Sequence, residues 1–278
     1  MIYLPAHTAV MARPGVGIQF GVLPAHARIL PLPPKVNTGI VMALFHQARS
    51  PMEQDTLVTR LVGCGLGRTV ASDMVEELVR AGILRAAYTG SAEVNLLSTG
   101  VAEELLRAEL TRRHIPSRTI TSARDAHRRL AVLPGMVFPP ANIQQGLMER
   151  QAVHYPTGVV DGMLVCGPLI VPGHTPCLAC VDHGYYLTDD GWRGIRMQAA
   201  ARPLAEDMPL VRALVVVTAG LVAEHLLPWW NSGPRFDAIP GILAERRVMD
   251  LSGGVVHRHK AVADSRCYSC HSVRVLYA

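Results

Sequence analysis

HTPCLAC (residues 174–180) and SRCYSC (residues 265–270) decide how this chain is read. Each holds a Cys-x-x-Cys pair, Cys177 with Cys180 and Cys267 with Cys270. A two-residue spacing lets both sulfurs of a pair point at one ion, and two such pairs supply the four thiolates of a tetrahedral zinc site. Pro176 favours a tight turn before the first pair, and basic and polar residues beside the second can shield thiolate charge. A four-thiolate site has no open position, so it holds the fold and does no chemistry. Its expected work is to clip the end of the chain to the loop at Cys177. Free thiols and a disulfide are the plainer readings, the disulfide being disfavoured in a reducing compartment. The run CYSCH, Cys267 to His271, also fits the haem-attachment pattern. Haem would leave the first pair without a role and would require export. His271 could replace one cysteine as a ligand. Cys166 sits in an apolar run and reads as a small core residue.

The rest of the composition is that of a well-filled globular protein. Of 278 residues, 49% are hydrophobic and 18% charged, and with only 5% aromatics the core must be aliphatic. A net charge of +5 permits an acidic or nucleic-acid partner without demanding one. The start, MIYLPAHTAVMARPG, lacks the basic head and long apolar core of a secretory signal. The most apolar stretch, Ala213 to Ala223, is shorter than the roughly 20 residues that span a bilayer. These features predict a soluble, cytoplasmic protein with reduced thiols and no membrane partner.

Residues 1–88 read as a small α+β domain. VGIQFG (16–21) and ARILPL (27–32) predict short strands. Apolar residues at helical spacing predict helices over Lys35–Gln47, over Met52–Val62 and from Thr69 until Gly82, with ILRAAY (83–88) as a trailing strand. This is a winged-helix outline. Such a unit can bind DNA through its third helix, but Asp73, Glu76 and Glu77 on that helix would repel phosphates. It can instead take a peptide as an added strand at a sheet edge. The peptide groove is then expected between ARILPL and the third helix, formed by Arg28, Leu30, Val75, Leu78 and Val79. The bland alternative is that these side chains pack the small core, and Arg28 separates the two, because a core has no use for an arginine.

Residues 89–278 read as an α/β domain. Val94–Leu97 predicts a buried strand and Ala102–Leu110 a helix. A nucleotide-binding unit would place Gly-x-Gly-x-x-Gly between them. The six positions are Ser98, Thr99, Gly100, Val101, Ala102 and Glu103, so only the middle glycine remains, and Glu103 sets a carboxylate near any phosphate. Farther on, where an acid should meet the ribose, the chain reads SRTIT (117–121). ATP is therefore not expected to bind. A hairpin is predicted around Asp161-Gly162, with its second strand running from Met163 to Val171 into the first cysteine pair. A helix over Leu210–Leu227 should pack beneath the sheet, with Trp229 and Trp230 capping the core. Two closing strands flank Ser252-Gly253-Gly254, with His257 and His259 on one solvated face.

GPLIVPGHTPCLACVDHG (167–184) with a late CYSC (267–270) resembles the ThiF family, relatives of the ubiquitin-activating and molybdopterin-adenylating enzymes. With a winged-helix unit in front, the chain is similar to the actinobacterial leader-peptide-binding proteins associated with azole-forming peptide pathways. The resemblance implies a PqqD-like recognition element that captures a precursor leader as an added strand. It implies a degenerate Rossmann-type α/β domain behind it with a structural zinc on Cys177, Cys180, Cys267 and Cys270. It implies a scaffold, non-catalytic or weakly catalytic, that presents the peptide or a partner protein to a modifying enzyme, with a homodimer as a further expected assembly. An ATP-dependent adenylating enzyme and a DNA-binding regulator are the alternatives carried forward.

Overall fold

The computed structural model describes residues 1–87, 92–98, 100–201, 207–234, 236 and 238–277. The expected boundary at residues 88 and 89, and Thr99 of the degenerate turn, lie outside the described residues. The chain divides into two compact units, Met1–Thr89 and Gly90–Ala278.

The first unit begins with β1 (Ile2–Tyr3), β2 (Val10–Arg13), β3 (Gly17–Phe20) and β4 (Arg28–Pro31). Three helices follow, α1 (Thr38–Gln47), α2 (Gln54–Gly63) and α3 (Arg68–Arg80), and β5 (Arg85–Ala86) closes against β1. Strands β2, β3 and β4 form an antiparallel sheet in that order. The first helix starts at Thr38 rather than Lys35 because the Asn37 side chain caps it, accepting from the Gly39 and Ile40 amides at 2.9 and 3.3 Å. The second starts two residues late because Met52 exchanges backbone hydrogen bonds with Ile2 instead. Phe20 and Phe45 meet edge to face at 4.9 Å in the centre of an otherwise aliphatic core that includes Leu57, Leu61, Val75 and Leu78.

The second unit is built on a seven-stranded sheet. Its parallel part is β6 (Val94–Leu97), β7 (Ser117–Ile120), β8 (Leu130–Pro134) and β9 (Val153–Val160), lying in the order β7-β6-β8-β9. Helix α4 (Val101–Arg112) crosses from β6 to β7, and α5 (Ala141–Glu149) from β8 to β9. The antiparallel strands β10 (Met163–Cys166), β11 (Arg246–Asp250) and β12 (Val255–His259) extend the sheet beyond β9, with β12 at its edge. Strands β6 and β8 are buried along their whole length; β8 is an unbroken apolar run, and Asn95 in β6 donates to the Leu130 carbonyl at 3.0 Å. The expected hairpin forms at Asp161-Gly162, but β10 ends at Cys166 rather than Val171. Gly167 turns the chain there with φ of +77°, and a Cβ on it would lie 3.0 Å from the Glu245 carbonyl and the Tyr155 ring. SRTIT supplies strand β7 as far as Ile120.

The chain then forms α6 (Leu178–Tyr186), α7 (Trp192–Ala201), α8 (Met208–Leu221) and α9 (Leu227–Asn231), with a π-turn over Val222–Leu226 joining the last two. Short α10 (Gly241–Ala244) precedes β11, and α11 (Tyr268–Tyr277) ends the chain. Because the π-turn keeps the helix continuous, Met208–Asn231 is 24 residues long, with mean hydropathy 1.8 over an 18-residue stretch of it. Length and composition alone would let it cross a membrane, contrary to the reading of Ala213–Ala223 as too short. Its apolar face has another use. Val211, Leu214, Val215 and Thr218 are buried, and α8 packs on α4, β9 and β10.

Candidate metal centre and the nucleotide turn

Each cysteine pair sits at the start of a helix. Cys177 is the N-cap of α6 and Cys180 lies in its first turn, where its amide donates to the Cys177 carbonyl at 3.0 Å. Cys267 immediately precedes α11, accepts from the His271 amide at 3.0 Å, and places Cys270 in the corresponding turn. Helix starts carry partial positive charge, so both pairs are placed where thiolates are stabilised. The sulfurs converge: Cys177 to Cys267 is 3.5 Å, Cys180 to Cys270 is 3.6 Å and Cys177 to Cys180 is 3.9 Å. All four lie within 4.8 Å of one another. These are free thiols, too far apart for a sulfur–sulfur bond of about 2.05 Å.

Crowding sets the thiols against one another. Hydrogen bonds to Cys180 and Cys270, then burial, push Cys177 far above the usual thiol range. Cys180 is pulled well below it by hydrogen bonds from Cys177 and Cys270. A divalent ion would relieve that conflict by balancing the charge of the sulfurs that bind it. Metal–sulfur bonds of about 2.3 Å span a tetrahedron with edges of about 3.8 Å, close to the separations here. The cluster could therefore hold a metal such as zinc. Among the described residues it is the one group of three or more His, Cys, Asp or Glu side chains gathered closely enough to do so. His271 is exposed and lies outside it, as do His257 and His259 on β12.

The turn after β6 is rebuilt. Gly100 is the N-cap of α4, and Glu103, three residues on, is only 4% exposed. Its carboxylate does not face the turn, as the sequence suggests. It accepts a hydrogen bond from Thr119 Oγ1 on β7 and pairs with Arg107 at 3.5 Å. Glu103 thus fastens α4 to β7, where a nucleotide site needs glycine for close helix–strand packing. Strand β7, to which α4 leads, carries no carboxylate where the ribose would lie.

The five groove residues divide. Leu30, Val75 and Leu78 are buried in the first unit's core and have no side-chain surface to offer. Arg28 and Leu30 both lie on β4, where Leu30 turns into the core. Arg28 is exposed and Val79 half-buried. On β4, Leu32 donates to the Val16 carbonyl, so alternation turns the Ile29 amide and carbonyl away from β3 to the outer edge. Pro31 has no amide to donate. The exposed face of α3 carries Asp73, Glu76 and Glu77.

One cluster escaped the sequence reading. Arg246, the first residue of β11, is 2% exposed and donates through Nε to the Gly167 carbonyl at 3.0 Å. Its guanidinium lies 5.7 Å from the Phe138 ring and 5.8 Å from the Tyr185 ring. Nearby, Arg196 pairs with Asp182 at 2.7 Å, and burial pushes the Asp182 carboxyl up against the pull of that arginine. An arginine opening a strand has no periodic signature, so pattern reading could not have found it.

No family profile matches the sequence, and no curated protein does. The fold has solved counterparts. A heterocyclase in complex with substrate and cofactor aligns with 97% of this chain at TM-score 0.63 and 17% identity. The heterocyclase TruD does so over 97% at TM-score 0.59 and 16% identity. The chain spans only 39% and 42% of those two proteins. MccB of E. coli, solved with ATP, matches 97% of this chain with 99% of its own, at TM-score 0.52 and 13% identity. The chain shares the fold of these proteins. At these identities the likeness is one of architecture, and it accounts for the seven-stranded mixed sheet.

Proposed function

We propose that this protein binds a precursor peptide and presents it to a separate modifying enzyme, its second unit serving as a zinc-held scaffold that does not adenylate. The observation that carries the reading is Glu103. A buried carboxylate committed to Thr119 and Arg107 occupies the position where a nucleotide-binding turn needs glycine. A fold relative was solved with substrate and cofactor, and MccB with N-formylated MccA. What is carried over to this chain is peptide recognition without the nucleotide chemistry. Four soft sulfur donors in a near-tetrahedral set favour zinc. Free thiols in mutual contact suit a reducing compartment such as the cytoplasm. The first unit supplies recognition in the manner of a winged-helix element, with the peptide adding along the outer edge of β4 beside α3.

Adenylation is the rival, and the end-to-end match to MccB, solved with ATP, favours it. Calorimetry decides between them. The protein is expected to show no micromolar affinity for ATP and no pyrophosphate exchange with any carboxyl-bearing peptide. Robust exchange would restore the enzyme. Recognition is tested at Arg28 with a synthetic acidic peptide of leader type. Arg28→Glu should weaken binding of an acidic leader about tenfold and leave the melting temperature unchanged, because Arg28 is exposed. Unaltered affinity would move the peptide away from β4.

A further inference from the structure

Strand β12 is the edge of the large sheet, and β11 is its one partner among the described residues. All five of its residues are exposed, which is unusual for a strand with two valines; Val255 and Val256 are 45% and 49% open. The strand is nevertheless fixed in register. The Asp250 carboxylate accepts from Ser252 N, Ser252 Oγ and Gly253 N at 2.9, 2.6 and 3.1 Å, which pins the hairpin. An exposed, well-ordered edge with apolar side chains is a template for another strand.

The chemistry beside it is predominantly basic. A groove of about 730 Å³ runs between α6 and the segment from Arg258 to Ser265. Arg246, His259 and Lys260 line it, and from Ser252 to Ala263 the sequence contains no acid. Asp264, also in the lining, is 3.9 Å from His183. Arg246 pairs with His259 across the β11–β12 ladder, so the two side chains share the face that meets α6. Arg246 is the unusual member. It is buried, held by the Gly167 carbonyl and 3.4 Å from the Tyr185 hydroxyl, and it reaches the groove wall with no carboxylate in ion-pair contact among the described residues, Asp182 acting on it only through space. Basic residues on an edge can simply discourage pairing between copies. A buried, aromatic-sandwiched arginine behind that edge does nothing for that purpose, whereas it is well placed to receive an anion.

We infer that this groove receives an extended acidic peptide segment, which adds to the free edge of β12 and lays a carboxylate against Arg246, His259 and Lys260. The five residues of β12 offer about 17 Å of ladder, enough for a segment of similar length with alternate side chains turned into the groove. This goes beyond the peptide site at β4, since it gives the second unit a recognition surface of its own, and either can fail without the other.

The test uses the intact protein and a fluorescein-labelled octapeptide alternating glutamate and valine. Anisotropy should report saturable binding. Hydrogen exchange should slow at β12 amides on adding the peptide. The double variant His259→Glu, Lys260→Glu changes two exposed side chains and should fold normally, yet bind the probe about tenfold less tightly. Arg28→Glu should bind it unchanged, which keeps this outcome separate from that of the β4 site. Equal binding of the glutamine–valine analogue would remove the carboxylate from the argument. Equal affinity for a single-stranded oligonucleotide of the same charge, protecting the same amides, would make the surface a general polyanion site and overturn the peptide assignment. Unchanged exchange at β12 would overturn the strand addition.

Discussion

Replacing Cys267 with serine should unfold most of the second unit. The four cysteines are not an appendage; Cys177, Cys180 and Cys267 are buried in a cluster with Met148, Ile170, Leu178 and Val273. That cluster joins α5, α6 and α11, which have little else in common: α11 packs on α5 and follows a long segment without regular structure. Zinc on four thiolates contributes about 10–16 kcal/mol in small peptides, against a net stability of about 5–15 kcal/mol for a domain. Losing one ligand leaves three thiols competing for charge in a buried space, with no ion to balance them. The expected result is one zinc per chain in freshly purified wild-type protein and less than a tenth of that in Cys267→Ser. The variant, and wild type treated with a chelator, should lose the cooperative melt of the second unit while a transition from the first remains. Cys64→Ser is the control, because Cys64 is half-buried in the first unit and far from the cluster in sequence, and it should keep full zinc. Wild-type protein without zinc, or a Cys267→Ser melt within about 3 °C of wild type, would refute the metal centre.

The cysteine pairs were legible because their signal is a short spacing that survives any packing. Strand β6 was legible too, because burial on both faces leaves it apolar but for Asn95. Contacts between distant segments were not legible. Glu103 meets Thr119 only because α4 folds back on β7, and nothing in the local sequence says which way its carboxylate turns. Strand β7 is partly exposed and lacks alternation, so SRTIT carries little strand signal. Helix α6 contains Gly184 and two aromatic residues after a cysteine cap, a weak helical signal that the fold overrides. Alternation on β4 paired Arg28 with Leu30 but could not tell which face met the helices. The groove was therefore assigned side chains that the core has already taken, and what remains for a ligand is mostly backbone.

A site made of backbone should be sensitive to anything that moves β4, and Gly17→Ala is the sharpest such change. Gly17 opens β3 opposite Pro31 with φ of +151°, and a Cβ there would collide with the Leu30 carbonyl oxygen and lie 2.7 Å from the Leu32 amide nitrogen. Both are backbone atoms of β4 and the residue after it. Neither can rotate away as a side chain could, so β4 must leave its register with β3, taking with it the Leu32 to Val16 hydrogen bond of 2.9 Å. Strain of this kind, with the lost pairing, should cost about 2–4 kcal/mol, which in a unit this small lowers the melting temperature by roughly 10 °C or more. Gly15→Ala supplies the comparison. Its φ is +73° and nothing lies within 4 Å of the new methyl, so only the conformational cost of about 1 kcal/mol applies. Gly17→Ala should therefore melt well below Gly15→Ala and, at a temperature where it is still folded, bind the leader at least tenfold more weakly, with its zinc content unchanged. If the two alanine variants lose stability equally, the β3–β4 contact is not as close as described; if Gly17→Ala is destabilised yet binds the leader as wild type does, the peptide is not paired with β4.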